Sequence, residues 1–403
     1  MDINEQVEYL MQGTEYGDES LRKTMETELR QRLMEAEKEG RKLRVYCGFD
    51  PRTSDLHIGH TVTMRKLRQF QDLGHEVVFL IGTYTSLIGD PSDKDKLRPL
   101  LTQQQTLDNA ASYAEQAFRI LDREKTTVRY NHEWLGDLKF ADLIKLGSNF
   151  TIQQFLTREA FRKRWDSEDP VYLHEFFYAI MQGYDAYALR TDVQVGGTDQ
   201  LFNIVTAGRK IMASMEMKPN IGVIMAILPG TDGVVKMSKS LGNHIPLNSN
   251  ATDMYGKVMS IPDEAMTQYA KLVTRWLPAQ VNAFGSDLKA GTLHPRDAKM
   301  RLAHEVTATY YTDTQADQAQ DAFVKLFQQG SIPTEMEEYS RIDGQSGLDI
   351  LVAAGLVATR SDGRRMFDQK AVKLDGNILE KADAPLPHAG VLQVGKRRFL
   401  RVK

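Results

Sequence analysis

Tyr46-Cys47-Gly48-Phe49-Asp50-Pro51, followed four residues later by Leu56-His57-Ile58-Gly59-His60, decides the fold. The apolar run from Leu43 to Phe49 reads as a buried strand. Pro51, Thr53, Ser54 and Asp55 break it, and Thr61 to Leu73 is helix-compatible. Strand, loop and helix start together place two imidazoles and a glycine at the carboxyl end of a first strand, where open parallel sheets bind ligands. Gly59 removes a side chain from the first turn, so a flat ring or a phosphate could approach the backbone, and helix-start N–H groups favour anions. A plain helix N-terminus with one capping and one buried histidine is the alternative.

On the amino-terminal side, Glu15 to Glu39 is rich in Glu, Arg, Lys, Leu and Met, all good helix formers, and Gly40 suits a C-cap. On the other side, Gly74 closes the helix. Glu76 to Ile81 reads as a second buried strand, residues 101–121 as a helix and Thr126 to Tyr130 as a third strand. Residues 137–190 look largely helical. Val193-Gln194-Val195 is a short strand running into Gly196-Gly197, residues 200–212 a helix, and Ile221 to Leu228 a strong apolar strand. Strands alternating with helices predict an α/β fold around a mostly parallel sheet. Helical patterns dominate residues 251–327. Residues 328–345, with Gly330, Ser331, Pro333 and Gly344, have a linker composition. Residues 346–403 read as a small α+β unit. It has a helix from Leu348, a second helix capped by Ser361, a tight turn at Asp375-Gly376 and a closing hairpin.

The chain has 403 residues, more than one core usually holds, so two or three domains are expected. Apolar residues at 41 % and charged residues at 26 % describe an ordinary soluble globular protein. The acidic, polar start does not read as a signal peptide and no run reaches membrane-spanning length. A single cysteine, Cys47, excludes an internal disulfide and a thiolate zinc cluster. The net charge of −3 conceals an asymmetry, because residues 345–403 hold 11 Lys/Arg against 6 Asp/Glu. An acidic body with a basic tail suggests a local contact with a polyanion.

Lys236-Met237-Ser238-Lys239-Ser240 is the second informative stretch. Two lysines three apart among small hydroxyl residues make a cationic loop, or simply a solvated basic turn. Taken with His57-Ile58-Gly59-His60, the segment resembles the paired signatures of class I aminoacyl-tRNA synthetases. Phe177-Tyr178-Ala179-Ile180-Met181-Gln182-Gly183-Tyr184-Asp185 is similar to the tyrosine-selecting helix of the bacterial tyrosyl-tRNA synthetases. Independently, the spacing of Tyr178, Gln182 and Asp185 puts all three on one helix face, where they could form an internal polar network or meet a ligand.

The resemblance covers essentially the whole chain and implies a Rossmann-like parallel-sheet catalytic domain at 1–240, an all-helical anticodon-arm-binding domain at 241–327, a linker at 328–345 and an S4-like RNA-binding domain at 346–403. It implies Tyr46 and Asp185 on the substrate phenol, and Tyr178, Gln182 and Asp90 on its ammonium, with Gln200 a further contact. Gly48, Asp50, Gly59, His60, Gly196, Asp199, Lys236, Ser238, Lys239 and Ser240 would line the ATP or adenylate site. His57, His60, Lys236 and Lys239 would carry catalysis. Arg364, Arg365, Lys396, Arg397 and Arg398 are candidates for tRNA contact. The implied substrates are L-tyrosine, ATP with Mg²⁺ held mainly through its phosphates, and tRNA(Tyr). A cytoplasmic homodimer with no membrane association is implied as well. Residues 137–165, with Phe150, Phe155 and Phe161, could be the dimer face or could be core. Cys47 is expected to be buried and inert.

Rival readings remain: a tryptophan-specific relative, or an RNA-binding protein with an inactive nucleotidyl-transfer fold. A dinucleotide oxidoreductase is disfavoured, because no G-x-G-x-x-G follows the first strand.

Overall fold

The computed structural model describes residues 1–51, 56–91, 103–328, 336–395 and 398–403. Its Cα packing divides the chain into two compact units, Met1–Asp317 and Gln318–Lys403.

The first unit is built on five parallel strands, β1 (Arg44–Phe49), β2 (Glu76–Ile81), β3 (Thr126–Tyr130), β4 (Val193–Gly197) and β5 (Ile221–Met225). Their order is β3-β2-β1-β4-β5. In β2 and β5 every residue is buried except Glu76. That is the expected state of a parallel sheet covered on both faces, and it explains why these strands read as unbroken apolar runs. β2 and β3 lie on one side of β1, β4 and β5 on the other. The chain therefore reverses its direction of winding between β1 and β4, which leaves a crevice at their carboxyl ends.

Helix Thr61–Asp72 leaves that crevice and is covered almost all round. Met64, Leu67 and Phe70 are buried, and so are the polar Arg65, Lys66 and Gln69. Lys66 Nζ donates to the carbonyls of Tyr9 (3.2 Å) and Gln12 (3.0 Å), at the carboxyl end of helix Ile3–Met11. Burial lowers its ammonium to about 7. Helices Ala251–Val258, Met266–Val273, Pro278–Ala290 and Pro295–Tyr310 follow the sheet.

The expected helix at 200–212 differs in kind. A short 3-10 turn, Thr198–Gln200, leads into a π-helical stretch, Phe202–Gly208, and then an α-helix, Arg209–Ser214. The wider turn seats Asn203 against two glutamines of the cavity described below.

The second unit holds a mixed sheet, β6 (Glu337–Tyr339), β7 (Val372–Leu374), β8 (Asn377–Ile378), β9 (Gly390–Val394) and β10 (Arg398–Val402), in the order β6-β10-β9-β7-β8. Leu348, Leu351, Phe367, Val372, Leu392 and Leu400 belong to its own core. The turn Asp375-Gly376 has positive φ at both residues, as a tight hairpin turn requires. β6, which pairs parallel with β10, lies in the stretch read as linker. Ser361 is not the cap of the second helix. Thr359 is, with its side chain accepting from Asp362 N, while Ser361 falls inside the first turn.

Candidate active site

A cavity of about 630 Å³ opens at the carboxyl ends of β1, β2, β4 and β5. Every residue assigned above to tyrosine, ATP or catalysis lines it except Ser240, whose hydroxyl meets that of Ser238 at 2.8 Å. The turn at 57–60 and the 236–239 segment, far apart in sequence, both line this space and meet where a Cβ on Gly59 would lie 3.4 Å from Met237 Cβ.

One half of the cavity is acidic. Asp185, 2 % exposed, projects from helix Leu173–Ala188 with Tyr178 and Gln182 on the same face. Trp134 Nε1 donates to Asp185 Oδ1 at 2.7 Å, and Asn131 Nδ2 to Oδ2 at 3.3 Å. Tyr46, fully buried, directs its hydroxyl to the carbonyl of Gln182 at 3.3 Å. Tyr178 Oη donates to Asp50 Oδ2 at 3.0 Å, and Thr85 Oγ1 to Asp50 Oδ1 at 2.8 Å. Asp50 thus sits with the residues expected to hold an ammonium group. Gln200 Nε2 donates to Asp90, which also lies 3.8 Å from the guanidinium of Arg158. Asn203 Nδ2 donates to Oε1 of both Gln182 (2.9 Å) and Gln200 (3.2 Å), fixing the orientation of the two amides.

Burial raises the Asp185 carboxyl to about 7, against the opposing effect of its two donors. A phenol donating to this group favours its charged form. Binding that favours the charged form releases a proton, so affinity rises with pH. Tyrosine should then bind several-fold more tightly at pH 8 than at pH 6. Equilibrium binding at pH 6, 7 and 8 checks this, and a flat profile would count against Asp185 as the acceptor.

The other half is cationic. Lys236 Nζ lies 3.2 Å from Asp199 Oδ2. The rings of His57 and His60 lie against each other, tilted by 35°, with centroids 3.8 Å apart. Burial, reinforced by neighbouring cationic groups, pushes His57 down to about 3 and His60 down to about 4, so both are neutral at pH 7. His57 Nδ1 accepts from Gly59 N, and His60 Nδ1 from His57 N, each at 3.2 Å. A neutral imidazole whose Nδ1 accepts carries its proton on Nε2. Both histidines are therefore N–H donors with no charge to be neutralised.

The glycines of the site, Gly48 apart, leave room for neighbouring protein atoms. A Cβ on Gly59 would lie 2.9 Å from His57 Nδ1 and 3.4 Å from Met237 Cβ. The space it frees is thus filled by the histidine turn itself and by the lysine segment. A Cβ on Gly196 would strike Ile204 and Gln200, and one on Gly197 would lie 2.7 Å from Asp199 Oδ1. Gly48 is the open position, since its Cβ would meet only Leu80, at 3.8 Å. Cys47 is buried, and burial pushes its thiol up to about 12, which suits an inert side chain.

Asn131, Trp134, Arg158 and Asn203 were not picked out from the sequence. Asn131 and Trp134 follow directly on the carboxyl end of β3, and that position was the available signal. Phe155 (4 % exposed) and Phe161 (0 %) belong to a buried cluster with Ile180 and Ile211, and Phe150 packs against it. They are core and not an exposed face, because the 173–188 helix lies over them. The exposed apolar side chains of this region are Phe140, Ile144, Ile152, Trp165 and Leu173.

In the second unit, Arg364 pairs with Asp383 at 3.3 Å, Arg365 with Asp362 at 3.0 Å, and Arg398 donates to the Leu356 carbonyl. Lys396 and Arg397 lie outside the described residues.

The family described as tRNA synthetases class I (W and Y) matches residues 38–328. The tyrosine–tRNA ligase of Moorella thermoacetica is 44 % identical over 380 residues, covering 94 % of this chain and 92 % of the relative. That of Oleidesulfovibrio alaskensis is 42 % identical over 407 residues, covering 100 % and 99 %. Among solved structures, the tyrosyl-tRNA synthetase of Archaeoglobus fulgidus complexed with L-tyrosine has a TM-score of 0.60 at 22 % identity, covering 79 % of this chain and all of that one, a likeness of fold. Matching along nearly its whole length, the chain belongs to the class I tRNA synthetases, in the branch of the tyrosine–tRNA ligases.

Proposed function

We infer that this enzyme activates L-tyrosine with ATP and passes the tyrosyl group to the 3′ end of tRNA(Tyr), with the residues of the cavity acting as follows. The observation that carries the assignment is the buried acceptor Asp185, beside the Tyr46 hydroxyl, in a cavity whose other wall bears two lysines and two neutral imidazoles. Asp185 and Tyr46 take the phenol. Asp50, Asp90, Tyr178, Gln182 and Gln200 surround the ammonium. A tyrosine carboxylate oxygen attacks the α-phosphorus of ATP, and the bond from that phosphorus to the bridging oxygen breaks, giving tyrosyl-adenylate and pyrophosphate. The nucleophile is already an anion, so the protein positions it and stabilises developing charge. His57 and His60 donate Nε2–H to phosphate oxygens, and Lys236 and Lys239 neutralise the leaving pyrophosphate. The terminal ribose hydroxyl of the tRNA then attacks the acyl carbon and displaces AMP.

Mg²⁺ enters with the nucleotide, held mainly through its phosphates. This fits the cavity, where Asp50, Asp90, Asp185 and Asp199 each already engage a protein donor. Residues 1–240 serve catalysis and 241–327 the anticodon arm. Residues 346–403 act as an S4-like RNA-binding module using Arg364, Arg365, Lys396, Arg397 and Arg398, a reading supported by the basic balance of this segment and its separate core. The exposed Phe140, Ile144, Ile152, Trp165 and Leu173 support a homodimer face in this part of the chain. Among the described residues no helix is long and apolar enough to cross a membrane. A cytoplasmic setting suits the substrates.

The test is amino-acid-dependent exchange of pyrophosphate into ATP with tyrosine, phenylalanine and tryptophan in turn. Exchange with tyrosine alone is expected. Equal exchange with tryptophan, or none with any amino acid, would overturn the reading.

A further inference from the structure

Lys236 and Lys239 are exposed, and a charged side chain on an exposed loop stabilises a transition state only if its backbone is held. The holding group is Asn243, downstream of both lysines. It is 7 % exposed, and its Oδ1 accepts from Ser238 N at 2.8 Å, between the two lysines. Its Nδ2 donates to Asp232 and lies 3.4 Å from the carbonyls of Val235 and Lys236. Asp232 Oδ1 accepts in turn from Val234 N and Val235 N, both at 2.8 Å. Those same donors, Asn243 foremost, hold the Asp232 carboxyl below the usual range.

Two side chains thus close the neck of the 232–243 loop and grip its backbone on both sides of Lys236. The seat is made to fit, because a Cβ on Gly230 would overlap the Asn243 side chain. Thr231 N also donates to the Asn243 carbonyl at 2.8 Å. Met237, 2 % exposed, is the loop's apolar anchor, packed near Gly59 of the histidine turn. The anchor fixes where the loop is. The clasp fixes which way Lys236 and Lys239 leave it.

We propose that Asn243, closed onto Asp232, is a positioning residue for adenylate formation, holding the Lys236–Ser240 segment in the register that brings its lysines to the phosphates. The inference rests on the activation chemistry set out above. Asn243 does not line the cavity, and among the described residues its side chain bonds only within the lysine loop, so its loss should slow the step that needs the lysines and leave tyrosine binding alone.

The full-length chain and its Asn243→Ala, Asn243→Asp and Asn243→Asp/Asp232→Asn variants are compared by single-turnover adenylate formation and by equilibrium tyrosine binding. Asn243→Ala should slow adenylate formation by about 10- to 100-fold, with the tyrosine Kd within about twofold of the parent. Asn243→Asp sets two carboxylates against each other and should be at least as slow. The double variant exchanges acid and amide. Its position 232 still accepts from Val234 N and Val235 N, position 243 still accepts from Ser238 N, and the bond between them is restored with donor and acceptor reversed, while the carbonyls of Val235 and Lys236 lose their long contact with a donor, so recovery stops short of the parent rate. It should recover about tenfold or more over Asn243→Asp. A rate for Asn243→Ala within twofold of the parent overturns the proposal. So does a tyrosine affinity that falls in step with the rate, or a double variant no faster than Asn243→Asp. A parent chain that forms no adenylate from tyrosine overturns the activation reading itself, and this inference with it.

Discussion

Replacing Asp185 by alanine should erode the preference for tyrosine over phenylalanine by about 10- to 100-fold in kcat/KM. A site that rejects phenylalanine must hold a polar group that is left unpaired when the substrate hydroxyl is missing. In the proposed assignment Asp185 is that group, buried to 2 % exposure on the helix face that carries Tyr178 and Gln182. The magnitude follows from a buried hydrogen bond to a charged acceptor, worth about 1.5–3 kcal/mol. Phenylalanine makes no such bond and should lose little. The substitution also leaves Trp134 Nε1–H without its acceptor, whereas Asn131 Nδ2 retains Thr85 Oγ1 at 3.1 Å. One orphaned donor costs about 1–3 kcal/mol of stability, offset in part because a carboxylate that burial disfavours has gone. Exchange measured with both amino acids decides the matter, and an unchanged ratio would remove Asp185 from the recognition site.

Lys239→Ala should slow adenylate formation by about 100- to 1,000-fold and leave the tyrosine Kd within about twofold. Removing one preorganised stabiliser of transition-state charge typically costs this much. Lys239 lies in the cationic half of the cavity, away from the carboxylates proposed to surround the amino acid. In the proposed mechanism its cation meets charge that appears only as pyrophosphate departs, so the ground state has little to lose. Rapid-quench measurement of adenylate and equilibrium tyrosine binding separate the two effects. A large rise in Kd with a normal rate would contradict the assignment.

The parallel strands and both signature segments were legible in the sequence because their causes are local. Buried parallel strands leave apolar runs, as Glu76 to Ile81 does, and a helical face leaves a three-and-four spacing, as Tyr178, Gln182 and Asp185 do. Support for the site was less legible because its causes are distant in sequence. Trp134 and Asp185 meet only once β3 and the 173–188 helix are both in place. Phe155 and Phe161 have the spacing of an exposed or a buried stripe alike, and packing alone sends them into the core. The protein's own need for Gly59 is hidden in the sequence for the same reason. The atoms that need its empty space belong to His57, two residues away, and to Met237, far along the chain. Thr359 and Ser361 can both cap a helix, and the extended backbone at Thr359 (φ −139°) decides between them.

The histidine turn is sewn by its own main chain to the segment downstream of the lysines. Ile58 N donates to the Ile245 carbonyl at 3.0 Å and Leu247 N to that of Leu56 at 2.9 Å, with His57 bridged to Pro246. Any swing of the cations during a catalytic cycle is therefore confined to the span from Gly230 to Asn243, pivoting on a root that stays with the imidazoles. The imidazoles and the root of the lysine loop are one hydrogen-bonded piece of main chain, so a change that displaces either should displace both.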